Sequence, residues 1–212
     1  MLYCNTSRNE HPDNARFKAD VERWLGVTVK LLNNAKYSTV EEVFDGERYM
    51  SGPAGARCTT ELKKKPRFQY QDAADTHIFG LTADEEDRIE QFEGNNHELL
   101  LEWPLRDAGL TKADCLKVVA DAGIELPWMY RLGYANNNCL GCVKATSPSY
   151  WNKVRVDFPD AFASRCEQSR RLGVRLVRYK GERIFLDELP AAATEQIKED
   201  LSCGPQCSAQ QS

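Results

Sequence analysis

Long apolar runs are missing from this 212-residue chain. No window approaches the roughly 20 apolar residues of a membrane helix, so no membrane partner is expected. The opening Met1-Leu2-Tyr3-Cys4 has no signal-peptide pattern, and the expected location is the cytoplasm. A strong excess of either charge is missing too. The formal net charge of −4 gives no general basic field, which argues against nonspecific coating of DNA and leaves room for a local basic patch. Histidine is scarce: His11, His77 and His97 share no spacing and read as surface or satisfied core residues. Internal repeats and low-complexity tracts are absent. With 42% hydrophobic and 28% charged residues, the composition is that of a globular chain.

Cysteine, by contrast, is plentiful. In the run Asn137-Asn138-Cys139-Leu140-Gly141-Cys142 two thiolates can point at one centre, and two further cysteines would complete a tetrahedral metal or iron–sulfur site. The same spacing reads equally as a redox pair. Cys58 lies far upstream, and Cys203 and Cys207 close the chain. Without a secretion signal, eight cysteines fit a reducing compartment with some thiols committed to metal or catalysis, not a disulfide framework. Cys115 belongs to an apolar set with Val118, Val119 and Ala122. Cys166 follows Phe158 and Phe162 at helical spacing, and Cys4 sits in a strand; all three read as packing residues.

Strand and helix signals alternate. Met1 to Asn5 reads as a strand. A helix from Pro12 or Asp13 carries Phe17, Val21, Trp24 and Leu25 on one face and stops at Gly26. Val27 to Leu32, Thr76 to Leu81 and Leu99 to Leu101 read as strands, Val40 to Met50 as a helix, and Ser51 to Gly55 as a loop. Thr111 and Asp114 form a capping box for a helix from Lys112 to Ala122. Ser147 to Leu172 is helical with a break near Pro159. Val174 to Tyr179 and Arg183 to Leu186 pair as a hairpin around Lys180-Gly181, and a last helix runs from Pro190 to about Leu201. This order predicts an α/β fold with a three-layer, mostly parallel sheet, in which ligands bind at the C-terminal ends of the strands. Cys4-Asn5-Thr6, Arg57-Cys58 and Gly80-Leu81-Thr82 fall there.

Several of these segments, taken in order, resemble the phosphoadenosine phosphosulfate reductase family, within the adenine nucleotide α-hydrolase-like superfamily that includes N-type ATP pyrophosphatases. They are Tyr3-Cys4-Asn5-Thr6-Ser7-Arg8-Asn9-Glu10-His11-Pro12; Arg57-Cys58 followed by Lys63, Lys64, Lys65 and Pro66; and Gly80 to Arg88. The most specific block runs from Trp103-Pro104-Leu105 through Leu126-Pro127-Trp128-Met129-Tyr130 and Gly133-Tyr134 to Cys139 and Cys142. The helical block around Tyr150-Trp151 and the ending Cys203-Gly204-Pro205-Gln206-Cys207 are similar to phage and bacterial proteins of this kind. On this resemblance residues 1–145 form a sulfonucleotide reductase-like α/β domain, and residues 146–212 a helical and hairpin extension with a cysteine-rich tail.

The resemblance implies sulfonucleotide reduction or sulfur transfer, with Cys203 as catalytic nucleophile and a thioredoxin-type reductant as partner. It implies that Thr6, Arg57, Lys64, Lys65 and Arg88 bind the anionic end of an adenine sulfonucleotide. It also implies a four-iron cluster or a zinc ion on Cys58, Cys139 and Cys142, with Cys207, Cys203 or Cys166 as fourth ligand. Two alternatives stand beside it: a catalytically silent, metal-stabilised binding module, and a protein that thiolates nucleic acid. One departure is plain. The family's first strand and its Ser-Gly-Gly-x-Asp-Ser loop, whose backbone N–H groups cradle phosphates at a helix N-terminus, have no counterpart here; Ser51-Gly52-Pro53-Ala54-Gly55 lacks the Asp-Ser pair. Adenine nucleotide binding is therefore expected only where such a loop is supplied.

Overall fold

A computed structural model describes residues 1–52 and 55–197. Strand β1 (Leu2–Cys4) pairs in parallel with β2 (Lys30–Leu32), Leu2 opposite Lys30 and Cys4 opposite Leu32. Parallel neighbours require a crossover, supplied by α1 (Asp13–Leu25). Gly26 ends α1 by taking φ +64°, so that its N–H reaches the Glu22 carbonyl. Helix α2 (Val40–Glu47) begins where the Thr39 hydroxyl accepts the Glu42 N–H at 3.1 Å.

The segment expected as a plain loop is framed by a short hairpin, β3 (Ser51–Gly52) antiparallel to β4 (Gly55–Ala56). Helix α3 (Arg57–Thr59), a π-helical turn over Thr60–Lys64 and α4 (Lys65–Tyr70) follow as one stretch. The three lysines interrupt any apolar period there. Pro66 looks like a breaker but sits in the first turn of α4, where a proline is tolerated.

A second parallel pair, β5 (Thr76–Ile78) with β6 (Leu100–Glu102), is crossed by α5 (Glu86–Asn95). Then come α6 (Pro104–Asp107), α7 (Lys112–Asp121) with the expected Thr111–Asp114 capping box, and α8 (Trp128–Arg131). Helices α9 (Pro148–Asp157) and α10 (Pro159–Leu172) meet at the expected break. The hairpin of β7 (Val177–Tyr179) and β8 (Glu182–Ile184) turns at Lys180 and Gly181, both with positive φ as a tight two-residue turn demands. The fold is thus mixed helix and strand, and its described strands form four two-stranded sheets, two parallel and two antiparallel.

Two expectations fail here. No helix starts at Pro190 within the described residues; 190–197 is a turn followed by irregular chain. Its polar groups are engaged elsewhere. Asn152 Nδ2 donates to the Pro190 and Ala193 carbonyls, Ser149 N–H to the Glu195 carbonyl, and Ile197 N–H to Ser147 Oγ. These bonds hold the segment across the start of α9 and compete with helical pairing. Helix α7 has no buried residue, and Val118 is 46% exposed, so the Cys115 face does not build core.

Two apolar clusters hold the chain together. The larger joins Phe44, Met50 and Leu62 to Trp151, Leu176 and Leu186, and so draws on both sides of residue 145. The smaller packs Phe79, Ile89, Phe92 and Trp103 between α5 and the β5–β6 pair, with Trp103 Nε1 donating to Glu93 at 2.7 Å. Among the described residues no helix is long and apolar enough to cross a membrane.

Candidate functional site

A cleft of about 680 Å³ runs along β1, from Met1 and Leu2 at its start to Asn5 and Ser7 beyond its end. Its apolar wall comes from Leu2, Phe17, Val21, Val29 and Leu31, and its polar rim includes Ser7, Glu10, His11, Lys63, Asn138 and Cys139. Ser7, Glu10 and His11 on that rim follow the C-terminal end of β1, where the loop after a parallel strand can reach a ligand.

The rim is built by the turn after β1. Glu10 accepts the Tyr3 and Thr6 hydroxyls and, at 2.9 Å, Asn14 Nδ2, so three donors orient its carboxylate. Burial, followed by the Glu10 charge, holds the Tyr3 hydroxyl well above the usual phenol range, and it stays a proton donor. Thr6, expected at the anion, is buried and donates its hydroxyl to Glu10 instead. His11 stacks on Trp128 with ring centroids 5.9 Å apart, and its Nδ1 accepts the Asp13 N–H.

Asn9 joins three parts of this region, which the sequence reading did not detect because a single Asn in a turn has no period. Its carbonyl accepts the Leu140 N–H at 2.8 Å, its Oδ1 accepts the Val40 N–H at 2.8 Å, and its Nδ2 donates to Glu41. The Cys139–Cys142 loop is therefore fastened to the turn after β1 through Leu140, between its two cysteines. Gly141 takes φ +64°, and a Cβ there would lie 3.5 Å from the Trp151 ring, so glycine suits this turn best. The Cys142 N–H donates to the Tyr150 hydroxyl at 2.8 Å. Burial pushes that hydroxyl well above its ordinary pKa; the charge of the Cys142 thiolate adds to the shift and the Cys142 N–H opposes it. Tyr150 and Trp151 pack as core, Trp151 with its Nε1 on the Ala145 carbonyl, in agreement with the sequence reading.

Four of the expected metal ligands, Cys58, Cys139, Cys142 and Cys166, lie among the described residues. Cys139 and Cys142 share a loop, and Cys58 and Cys166 pack against the same core. Among the described residues, however, no group of three His, Cys, Asp or Glu side chains is arranged to hold an ion. Cys203 and Cys207, the expected nucleophile and ligand, lie outside the described residues. Cys166 is half-buried, and its thiol is pushed up to about 11, chiefly by burial, which suits packing better than thiolate ligation.

Three of the four expected anion-binding cations have carboxylate partners. Arg57 bonds Glu47 at 2.7 Å and reaches Glu61 at 3.3 Å; Lys65 pairs with Glu61 at 2.7 Å, and Arg88 with Glu85. Neither these residues nor Lys64 lines the cleft, whereas Lys63 and Lys18 do. Cys4 helps set Lys63 on the rim, its thiol donating to the Lys63 carbonyl at 3.4 Å. In the sequence Lys63 was one of three adjacent lysines, and only the helical phase of the π turn separates it from its neighbours.

Comparison of the chain with protein-family models, curated proteins and solved structures finds no match.

Proposed function

We propose that the β1 cleft binds an adenine sulfonucleotide, through its apolar wall and Lys63 in place of the family's phosphate loop, and that the chain is a reductase-like enzyme of sulfur metabolism. One observation carries this reading: an apolar wall able to take a nucleoside and a rim bearing Lys63 and Cys139 share one cleft along a parallel strand pair. The β1–β2 and β5–β6 pairs are, in this reading, parts of one three-layer parallel sheet. Both pairs are parallel, both are crossed by a helix, and both expose apolar side chains such as Leu31 and Ile78.

The polar rim orients the ligand, with Lys63 facing its anionic end. The Cys203 thiolate attacks the sulfur; an S–S bond forms as the S–O bond to the adenylate breaks, and the adenylate phosphate leaves. A thioredoxin-type dithiol in the cytoplasm then reduces the S–S bond, releasing sulfite and ending as a disulfide. A second reading, a catalytically silent binding module, is favoured by the carboxylate partners of Arg57, Lys65 and Arg88.

Calorimetric titration with adenosine phosphosulfate, with and without its 3′-phosphate, tests both readings. Lys63→Ala is expected to weaken binding about tenfold, the worth of one charge-assisted hydrogen bond, and Arg88→Ala to leave it unchanged. Sulfite release lost in Cys203→Ser supports the enzyme, and binding without release supports the module. Absence of binding by the unaltered chain overturns both.

A further inference from the structure

Behind the turn that rims the β1 cleft lies a second, smaller cavity of about 210 Å³. The two share a wall. Ser7 and Glu10 line the cleft, whereas Arg8 and Asn9, between them in sequence, line the smaller cavity. The cysteine loop divides in the same way, Cys139 to the cleft and Leu140 to the cavity, and the Asn9 carbonyl, bonded to the Leu140 N–H, ties the two halves of the wall together. Helix α10 supplies the other side. Its Ala161, Ser164 and Arg165 stand at positions i, i+3 and i+4, which puts all three on one helix face.

Donors outnumber acceptors in this cavity. Arg165 is only 3% exposed. Its Nη2 donates to Glu41 Oε1 at 2.9 Å and its Nη1 to Gln168, but its buried Nε has no acceptor among the described residues. Buried N–H groups in folded chains nearly always have one. In a guanidinium, Nε–H and one Nη2–H lie along the same edge, so the idle donor faces the side of Glu41, which lines the cavity. Both Glu41 oxygens are engaged, Oε1 by Arg165 and Oε2 by Asn9 Nδ2 at 2.6 Å. That one carboxylate offsets Arg165 and leaves the charge of Arg8 in excess. Arg8 has no ion pair among the described residues, and the Ser164 hydroxyl has no hydrogen-bond partner among them. Asp160, next to Ala161 in the sequence, does not line the cavity.

We propose that this cavity binds a small oxyanion of the phosphate and sulfate class. The anion takes the Arg165 Nε–H at its buried end, the Ser164 hydroxyl from the face of α10 and the Arg8 guanidinium from the turn, and two of these three are charge-assisted hydrogen bonds. The volume is below the roughly 300 Å³ at which pockets for drug-sized ligands begin, so it suits the oxyanion group itself. The cavity shares no lining residue with the β1 cleft, and its occupancy does not depend on what the cleft binds.

Calorimetry and thermal unfolding with inorganic phosphate and with sulfate, against chloride at equal ionic strength, test the site in the full chain. The unaltered protein is expected to bind both oxyanions and to unfold at a higher temperature in their presence. Arg8→Gln should bind them about tenfold more weakly, the loss of one charged hydrogen bond, and Ser164→Ala about threefold more weakly, the loss of a neutral one. Arg175→Gln removes the same charge outside the cavity and should bind as the unaltered chain does. Phosphate and sulfate also stabilise folded chains by exclusion from their surfaces. That effect is the same in every variant, so an equal gain in Arg8→Gln overturns the proposal. Arg8 and Ser164 are exposed, and without oxyanion both variants should unfold with the unaltered chain. An Arg8→Gln that unfolds earlier without oxyanion assigns Arg8 to folding and overturns the site, as does absence of oxyanion binding by the unaltered chain. Displacement of bound phosphate by a nucleoside monophosphate assigns the site to the end group of a larger ligand, and phosphate binding without such displacement assigns it to the free ion.

Discussion

Helices α1 and α10 have thirteen and fourteen residues, yet α1 has no buried residue whereas α10 buries Phe162, Arg165, Gln168 and Ser169. The apolar stripe of α1 is the clearer of the two in sequence, but Trp24 and Leu25 remain 44% and 47% exposed. Burial therefore followed the supply of packing partners, not the amphipathic pattern. Helix α1 crosses a pair of three-residue strands, whose span is little more than the diameter of one helix. Helix α10 lies against α9, α2 and the turn after β8, which enclose it. Its polar residues are buried because each finds a partner. Arg165 donates to Gln168 at 2.5 Å and to Glu41 at 2.9 Å, and Gln168 Nε2 donates to the Glu41 carbonyl.

The largest effect should separate two tryptophans. Trp151→Ala is expected to cost about 3–5 kcal/mol in urea unfolding, from the cavity left in the larger core. Trp24→Ala, on α1, should cost under about 1 kcal/mol. Equal losses would mean that α1 is as well packed as α10, and the contrast would fall.

Two arginines repeat the test for polar groups. Arg165→Ala should cost about 1.5–3 kcal/mol, because Glu41 and Gln168 lose a buried charged partner. Arg16→Ala removes surface pairs with Asp13 and Asp20 on α1 and should cost under about 1 kcal/mol. A double-mutant cycle of Arg165 with Glu41 measures the pair directly. Next in size is Gly141→Ala, which forces a Cβ into a left-handed conformation beside Trp151. A loss of about 1–2 kcal/mol is expected; no loss would show that the cysteine loop is not held in the left-handed turn.

The smallest effect is a pH dependence. Hydrogen bonds from Tyr37 and Arg57 lower the Glu47 carboxyl to about 2, below its ordinary value of about 4.3 in an unfolded chain. Its contribution is complete above the unfolded value and is lost as pH falls through the folded one. Glu47→Gln should therefore flatten the decline of unfolding free energy between pH 4.5 and 2. An unchanged slope would remove Glu47 as its source.

Much of the local structure was legible in the residues. Gly26 stopped α1, Thr111 and Asp114 capped α7, Pro159 divided α9 from α10, and Lys180-Gly181 turned the last hairpin. Each is a backbone preference of one or two residues. The candidate site was less legible. The turn after β1, expected at a ligand site, lines the cleft, and the Cys139–Cys142 loop, expected at a metal, reaches it through Asn138 and Cys139. The expected cations do not line it, because Lys63, Lys64 and Lys65 differ only in the direction the π turn gives them, and Arg57 and Arg88 found carboxylates nearby.

Sequence by itself determined where elements start and stop, since caps, prolines and glycines act through dihedral preferences and hydrogen bonds a few residues apart. Tertiary structure alone decided which faces became core and which charges met. It set Arg165 on Glu41, 124 residues away, and fastened Leu140 to Asn9. Burial and charge pairing depend on groups brought together from distant positions, and no local pattern in the chain encodes that proximity.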